Sequence, residues 1–142
     1  MKEYVIKKIN DDNNNKSISE FINKGFDNYA TQSGVSPSFK GFCFIAENSL
    51  GNIIGAITGK TLYNEVHISD LIVDENYRKS GLGSKLVSIV EDTYRDCGYN
   101  EITLTTFEFQ APEFYKKLGY NIEFTRDNEN PKLKKYFFKK NL

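Results

Sequence analysis

The chain has 142 residues, enough for one domain with an ordinary core: 39% are hydrophobic and 14% aromatic. Nineteen basic and nineteen acidic side chains cancel to a formal charge of zero. This lacks the basic surplus of a protein that depends on a nucleic-acid backbone, so nucleic acid is not expected as a primary partner.

The N-terminal "EYVIKKI" (Glu3 to Ile9) reads as a first strand, and its interspersed charges do not form a secretory leader. No run nears the roughly 20 apolar residues of a membrane span, so a cytoplasmic protein without membrane contact is expected. After a polar loop, Ser17 with Glu20 three residues on resembles a capping box opening a helix through Phe21, Ile22 and Phe26. Gly34, Pro37 and Gly41 mark a loop. "FCFIAE" and "NIIGAITGKTLY" then form a hairpin around a turn at Asn48 to Asn52. "EVHISDLIVD" alternates, with Val66, Ile68, Asp70 and Ile72 on one face and His67, Ser69, Leu71 and Val73 on the other.

From Leu82 the apolar positions 82, 86, 87, 90, 94 and 97 follow helical spacing, with Gly98 as the stop. "EITLTTFEF" is a strand, and "APEFYKKLGY" a short helix with Pro112 in its first turn and Gly119 at its end. "NIEFTR" and "KKYFFKK" are two further strands joined by a polar loop. The lysines of the last are read as edge-strand protection. A homodimer through such late strands is compatible with the pattern. The order β-α-β-β-β-α-β-α-β-β predicts a mixed α/β sheet in a single domain, residues 1–142. Cys43 and Cys97 lie in apolar segments at no metal-ligand spacing. Reduced core thiols are expected, with a single disulfide as the alternative, and no metal.

The most informative stretch is "RKSGLGS", Arg78 to Ser84, between a strand and a helix. Free amides at a helix start, together with the helix dipole, attract phosphate. Glycine removes the Cβ that would keep the phosphate away, and Arg78 and Lys79 add positive charge. The Walker pattern fails because no Ser or Thr follows Lys85, and the dinucleotide pattern fails because Leu86 replaces its third glycine.

The spacing R-x-x-G-x-G, as Arg78, Gly81 and Gly83, fits a different family. "ISDLIVDENYRKSGLGSKLVSIVEDTYRDCGYNEITLTT" followed by "APEFYKKLGYNIE" resembles the GNAT superfamily of acyl-CoA-dependent N-acetyltransferases, over about Glu65 to Phe124. The resemblance implies an α/β (α+β) fold. It has a mixed, mostly antiparallel sheet of six to seven strands, flanked by helices and splayed at the family's fourth strand, here Glu65 to Asp74. It also implies acetyl-CoA as co-substrate, with its diphosphate on the amides of Arg78, Lys79, Ser80, Gly81, Leu82, Gly83 and Ser84. The pantetheine arm would lie along Leu71, Ile72 and Val73, where a backbone N–H polarises the thioester carbonyl.

The implied reaction is direct transfer of an acetyl group to a primary amine. Tyr115 matches the family's acid for the leaving thiolate; with an ordinary pKa of about 10 it can donate. A half-buried helix aromatic is its bland alternative. His67, the only histidine, stands six residues before Val73, where some members carry a carboxylate base. It is read as the base or as a structural histidine, with Glu108 and Asp70 as lesser candidates. Glu108 departs from the family's usual Asn, and Gln110 is a nearby amide. The resemblance places the acceptor near Phe21 to Phe42 and Arg126 to Lys135. Small-molecule amines and protein or peptide amines both remain open. A non-catalytic CoA-binding regulatory module is the rival reading.

Overall fold

The computed structural model describes residues 2–10 and 15–142. Contacts divide the chain into two units, Met1–Pro37 and Ser38–Leu142.

The first unit contains helix α1, Lys16–Gln32. Its cap is Asn15, whose Oδ1 accepts the Ser17 N–H at 3.1 Å, so the expected box of Ser17 and Glu20 lies inside the helix instead. Asparagine caps as well as serine does, and here it stands two residues earlier. The helix closes where Val35 N–H bonds the Ala30 carbonyl at 2.8 Å, around Gly34 with φ 74°. The expected strand over Glu3 to Ile9 does not form: residues 2–10 have no regular secondary structure, and Tyr4 and Ile6 are 81% and 89% exposed. A strand exists only through a partner's amides and carbonyls, which local propensity cannot supply.

The second unit is a six-stranded sheet with helices. In chain order it runs β1 Phe39–Glu47, β2 Ile53–Leu62, β3 Glu65–Val73, α2 Leu82–Tyr94, β4 Glu101–Phe107, α3 Pro112–Lys117, β5 Asn121–Arg126 and β6 Lys135–Asn141. The sheet order is β1-β2-β3-β4-β6-β5. Every pair is antiparallel except β3 with β4, which α2 connects as a crossover must. The β1–β2 turn falls where expected: Asn48 Oδ1 accepts from the Leu50 and Asn52 amides, both at 3.0 Å, and Gly51 takes φ 80°. Ile57 and Val66 of the sheet pack with Leu86, Val87 and Val90 of α2, and Tyr115 of α3 joins the same cluster. None of the described helices is long and apolar enough to cross a membrane.

Four expectations are corrected by tertiary context. Helix α2 ends at Tyr94, short of Gly98, because Asp96 already takes φ 60° and Gly98 φ 92°. Cys97 therefore lies beyond the helix, and both cysteines are free and exposed rather than core thiols. Cys43 points outward between the half-buried Phe42 and Phe44. "KKYFFKK" is no edge. Strand β6 sits between β4 and β5, Phe138 is 1% exposed, and the lysines are engaged: Lys139 pairs with Glu101 at 2.9 Å and Lys140 with Glu91 at 2.7 Å. With both of its ladders filled inside the sheet, β6 offers no free edge to another copy; the exposed edge on that side is β5.

The fourth correction concerns β3. Its simple alternation breaks at Ser69: Gly59 pairs with Ile68, yet Thr58 pairs with Asp70, leaving Ser69 as an extra residue. A bulge reverses the parity of everything after it. Val66 and Ile68 are buried before it, whereas Leu71 and Val73 pack against the core after it and Ile72 is exposed.

Candidate functional site

Strand β3 has two ladders of unequal length. With β2 it pairs from Glu65 to Val73. With β4 it pairs only at Glu65, Val66 and His67, opposite Glu101, Ile102 and Thr103. Beyond that rung β4 keeps pairing with β6 as far as Phe107, so the two strands diverge and the sheet opens as a V. From Ile68 onward, the edge of β3 that faced β4 has no strand partner. The bulge falls next to this departure, and Gly59 lies at it on the β2 side. A Cβ there would stand 2.1 Å from the His67 carbonyl oxygen and 2.4 Å from Phe42 Cζ. An isolated glycine inside the apolar run of β2 was the sequence signal for this feature.

The V holds a cleft of about 1270 Å³. One wall is Ile68 to Val73, the other Leu104 to Thr106, and the floor comes from the starts of α2 and α3. That is larger than the usual range of small-ligand pockets, up to about 1,000 Å³, and suits an extended molecule.

At the mouth the chain makes a short 3₁₀ turn, Glu75–Tyr77, capped by Asp74, whose Oδ1 accepts the Asn76 N–H at 2.9 Å. Arg78 Nε donates to the Val73 carbonyl at 3.2 Å, tying the loop to the end of β3. Lys79 takes φ 62° and Gly81 φ 84°. These left-handed residues turn the backbone directly into α2, which has no side-chain cap. The Lys85 N–H bonds the Gly81 carbonyl at 3.0 Å. The amides of Leu82, Gly83 and Ser84 come before that bond, in the helix's donor-rich first turn. Gly83 has a second role: a Cβ there would come within 3.3 Å of Phe114 Cζ, so any side chain would press on the close packing of α2 against α3.

Leu71, Ile72, Val73, Arg78, Lys79, Gly81, Leu82, Gly83 and Ser84 line this one cleft, and Tyr115 lines it with them. Ser80 does not; its hydroxyl donates to the Tyr77 carbonyl within the turn. Tyr115 is 7% exposed, its ring edge-on to Phe114 at 5.0 Å, and burial pushes its pKa up to about 12. It is therefore a phenol, able to donate, throughout the physiological range.

His67 is not part of the cleft lining. It occupies the last β3–β4 rung, one residue before Ile68. Because Val66 and Ile68 point into the α2 side, its side chain stands on the opposite face. Its Nδ1 lies 2.8 Å from Thr103 Oγ1, and the Thr103 hydroxyl donates to Glu65 Oε1. Burial lowers the His67 pKa; Glu65 opposes this and Lys60 adds to it. Sequence reading did not find Thr103, since the pairing joins residues on different strands.

Of the lesser candidates, Asp70 lines the cleft and accepts from Thr58 Oγ1 at 2.9 Å. Glu108 instead receives the Tyr136 hydroxyl proton in a hydrogen bond. Gln110 lines the cleft, its Oε1 accepting the Phe107 N–H at 3.0 Å. Phe109, another lining residue that sequence reading passed over, holds the far side: its N–H bonds the Lys132 carbonyl at 3.1 Å. This ties the Asp127–Lys134 connection to the cleft wall. The other expected acceptor segment, Phe21 to Phe42, spans both units.

Comparison with known proteins agrees with this geometry. Residues 9–120 match the family model of the Acetyltransferase (GNAT) family. The chain is 30% identical over 93 residues to blasticidin-S acetyltransferase of Streptomyces morookaense, covering 65% of this chain and 68% of that one. It is 39% identical over 54 residues to glucosamine 6-phosphate N-acetyltransferase of Trypanosoma brucei brucei, a match confined to 38% of this chain and 36% of that one. Among solved structures, an acetyltransferase from Bacillus cereus superposes with a TM-score of 0.76 at 32% identity, over 96% of this chain and 98% of the other. The chain belongs to the GNAT acetyltransferase family.

Proposed function

We propose that this acetyltransferase takes acetyl-CoA as donor and a primary amine on a small molecule as acceptor. The observation that carries the reading is the short β3–β4 ladder. It opens the sheet beside a donor-rich helix start and a buried phenol.

In this reading the amides of Leu82, Gly83 and Ser84 hold the donor's diphosphate, and Lys79 lends its charge. Arg78 braces the loop against Val73, a contact that leaves the rest of its guanidinium for phosphate. The unpaired edge of β3 at Leu71, Ile72 and Val73 binds the pantetheine arm as a missing strand would be bound. One of its N–H groups polarises the thioester carbonyl. Tyr115 gives its proton to the departing sulfur. His67, neutral at pH 7, takes the proton that the amine loses, directly or through one water. In this reading the chain's own contribution is orientation and two proton sites.

A small amine is favoured because two of the relatives are acetyltransferases of blasticidin S and of glucosamine 6-phosphate. The loop Asp127–Lys134, fastened to the cleft wall by the Phe109–Lys132 hydrogen bond, is read as contacting it.

Release of free thiol from acetyl-CoA across a panel of aminonucleosides, amino sugars and peptide N-termini tests this. Thermal unfolding with acetyl-CoA and with CoA runs alongside. Saturation at about 100 times Kd adds roughly 2.7 kcal/mol, several degrees for a domain of this size. Stabilisation with turnover of small amines is expected. No stabilisation by either ligand contradicts the donor reading, and turnover of peptides alone contradicts the acceptor class.

A further inference from the structure

We infer that Thr103 and Glu65 are positioning residues that lock His67 in its Nδ1–H tautomer, so that Nε2 presents a lone pair to the acceptor amine. The inference rests on the reading of His67 as the base.

It follows from counting hydrogens. Thr103 Oγ1 lies 2.8 Å from His67 Nδ1 and carries one hydrogen, which it donates to Glu65 Oε1. A carboxylate only accepts, so nothing returns along that bond. The contact with His67 must then use a lone pair of Oγ1, and the hydrogen between them belongs to Nδ1. A neutral imidazole with its hydrogen on Nδ1 carries its basic lone pair on Nε2.

The location suits the task. His67 and Thr103 are register partners on the last rung before the strands part, so the residue stands at the foot of the V with its ring on the sheet face away from α2. The strand on each side fixes one end of the relay. Glu65 shares the ring's face two residues earlier on β3, and Thr103 faces it from β4. Other charged groups on this face include Lys60, the register partner of His67 on β2, Asp70, which accepts from Thr58 two residues before Lys60, and Glu101 on β4. Lys139 of β6 stands opposite Thr103 and pairs with Glu101 at 2.9 Å. Burial outweighs the pull of Glu65, so the ring is neutral at pH 7 and its tautomer decides which nitrogen can work.

The step balances. The amine nitrogen bonds to the thioester carbonyl carbon, and the C–S bond breaks with its electron pair on sulfur. The proton shed by nitrogen goes to Nε2, and sulfur takes one from the Tyr115 hydroxyl. Solvent restores both groups.

A brace that merely holds the rung would make the same contacts, so the test must read the ring itself. The chain has one histidine, so ¹⁵N labelling of that residue type gives two ring signals with no assignment problem. In the full chain at neutral pH, the hydrogen is expected on Nδ1. Thr103→Val should move it toward Nε2, and Thr103→Ser should keep it on Nδ1. Turnover should follow: kcat falls about tenfold in Thr103→Val, part of the 10²–10⁴ that a general base supplies, while KM for acetyl-CoA holds and Thr103→Ser restores the rate. A wild-type ring protonated at Nε2, or a tautomer indifferent to Thr103→Val, overturns the relay. His67→Gln separates the two layers. If it leaves kcat and its acid limb untouched, the base reading fails whatever the ring signals say.

Discussion

The two ladders of β3 are made of the same strand and do opposite things. Toward β2 the pairing persists through a bulge to Val73; toward β4 it stops after three residues. The long ladder is what permits the short one. A strand that left both neighbours would be a loop, without a defined edge to offer a ligand. Held firmly on one side, β3 can present an empty ladder on the other. The site is thus a missing strand kept open by the strand that remains.

The most damaging way to break this comparison is to attack the long ladder at its irregularity. Gly59→Ala places a methyl 2.1 Å from a backbone carbonyl that cannot swing away. A loss of about 3 kcal/mol or more is expected in urea unfolding, together with loss of acetyl-CoA binding. A variant of wild-type stability would show that the bulge is not constrained as described.

The next changes leave the ladders intact and disable what the opening exposes. Tyr115→Phe should keep the stability within about 1 kcal/mol and lower kcat roughly 10²-fold, read as thiol release. Gly83→Ala must push Phe114, since the new carbon would lie 3.3 Å from its ring. KM for acetyl-CoA should rise several-fold, with a stability loss of about 1 kcal/mol.

The mildest probe is pH. Burial lowers the His67 pKa from the ordinary imidazole value, and only the unprotonated ring accepts a proton. Activity should therefore be on its plateau at pH 7 and fall as pH drops through that lowered pKa. Tyr115, near 12, should impose no loss on the alkaline side until far above the physiological range. The acid limb should vanish in His67→Gln, whose residual rate should be flat there.

What was legible in the sequence was local. Leu71 to Val73, the basic glycine loop and Tyr115 each announce themselves in a short local pattern, and residues of all three line one cleft. What was not legible depends on distant partners. "EYVIKKI" has the composition of a strand but finds no ladder, and "KKYFFKK" has the lysines of an edge but lies inside the sheet. The extra residue at Ser69 depends on how β2 meets β3, so the faces of β3 could not be read by alternation past that point. Thr103 gains meaning only from His67, 36 positions away. Gly59 was the one readable trace of this long-range geometry.

The most direct test of the central claim is amide hydrogen exchange with and without acetyl-CoA, resolved along β3. The account predicts new protection at those amides of Ser69 to Val73 that face away from β2, and at Leu82, Gly83 and Ser84, with the β2–β3 ladder unchanged. Binding that leaves these amides exchanging freely, or that protects a different part of the sheet, would contradict it.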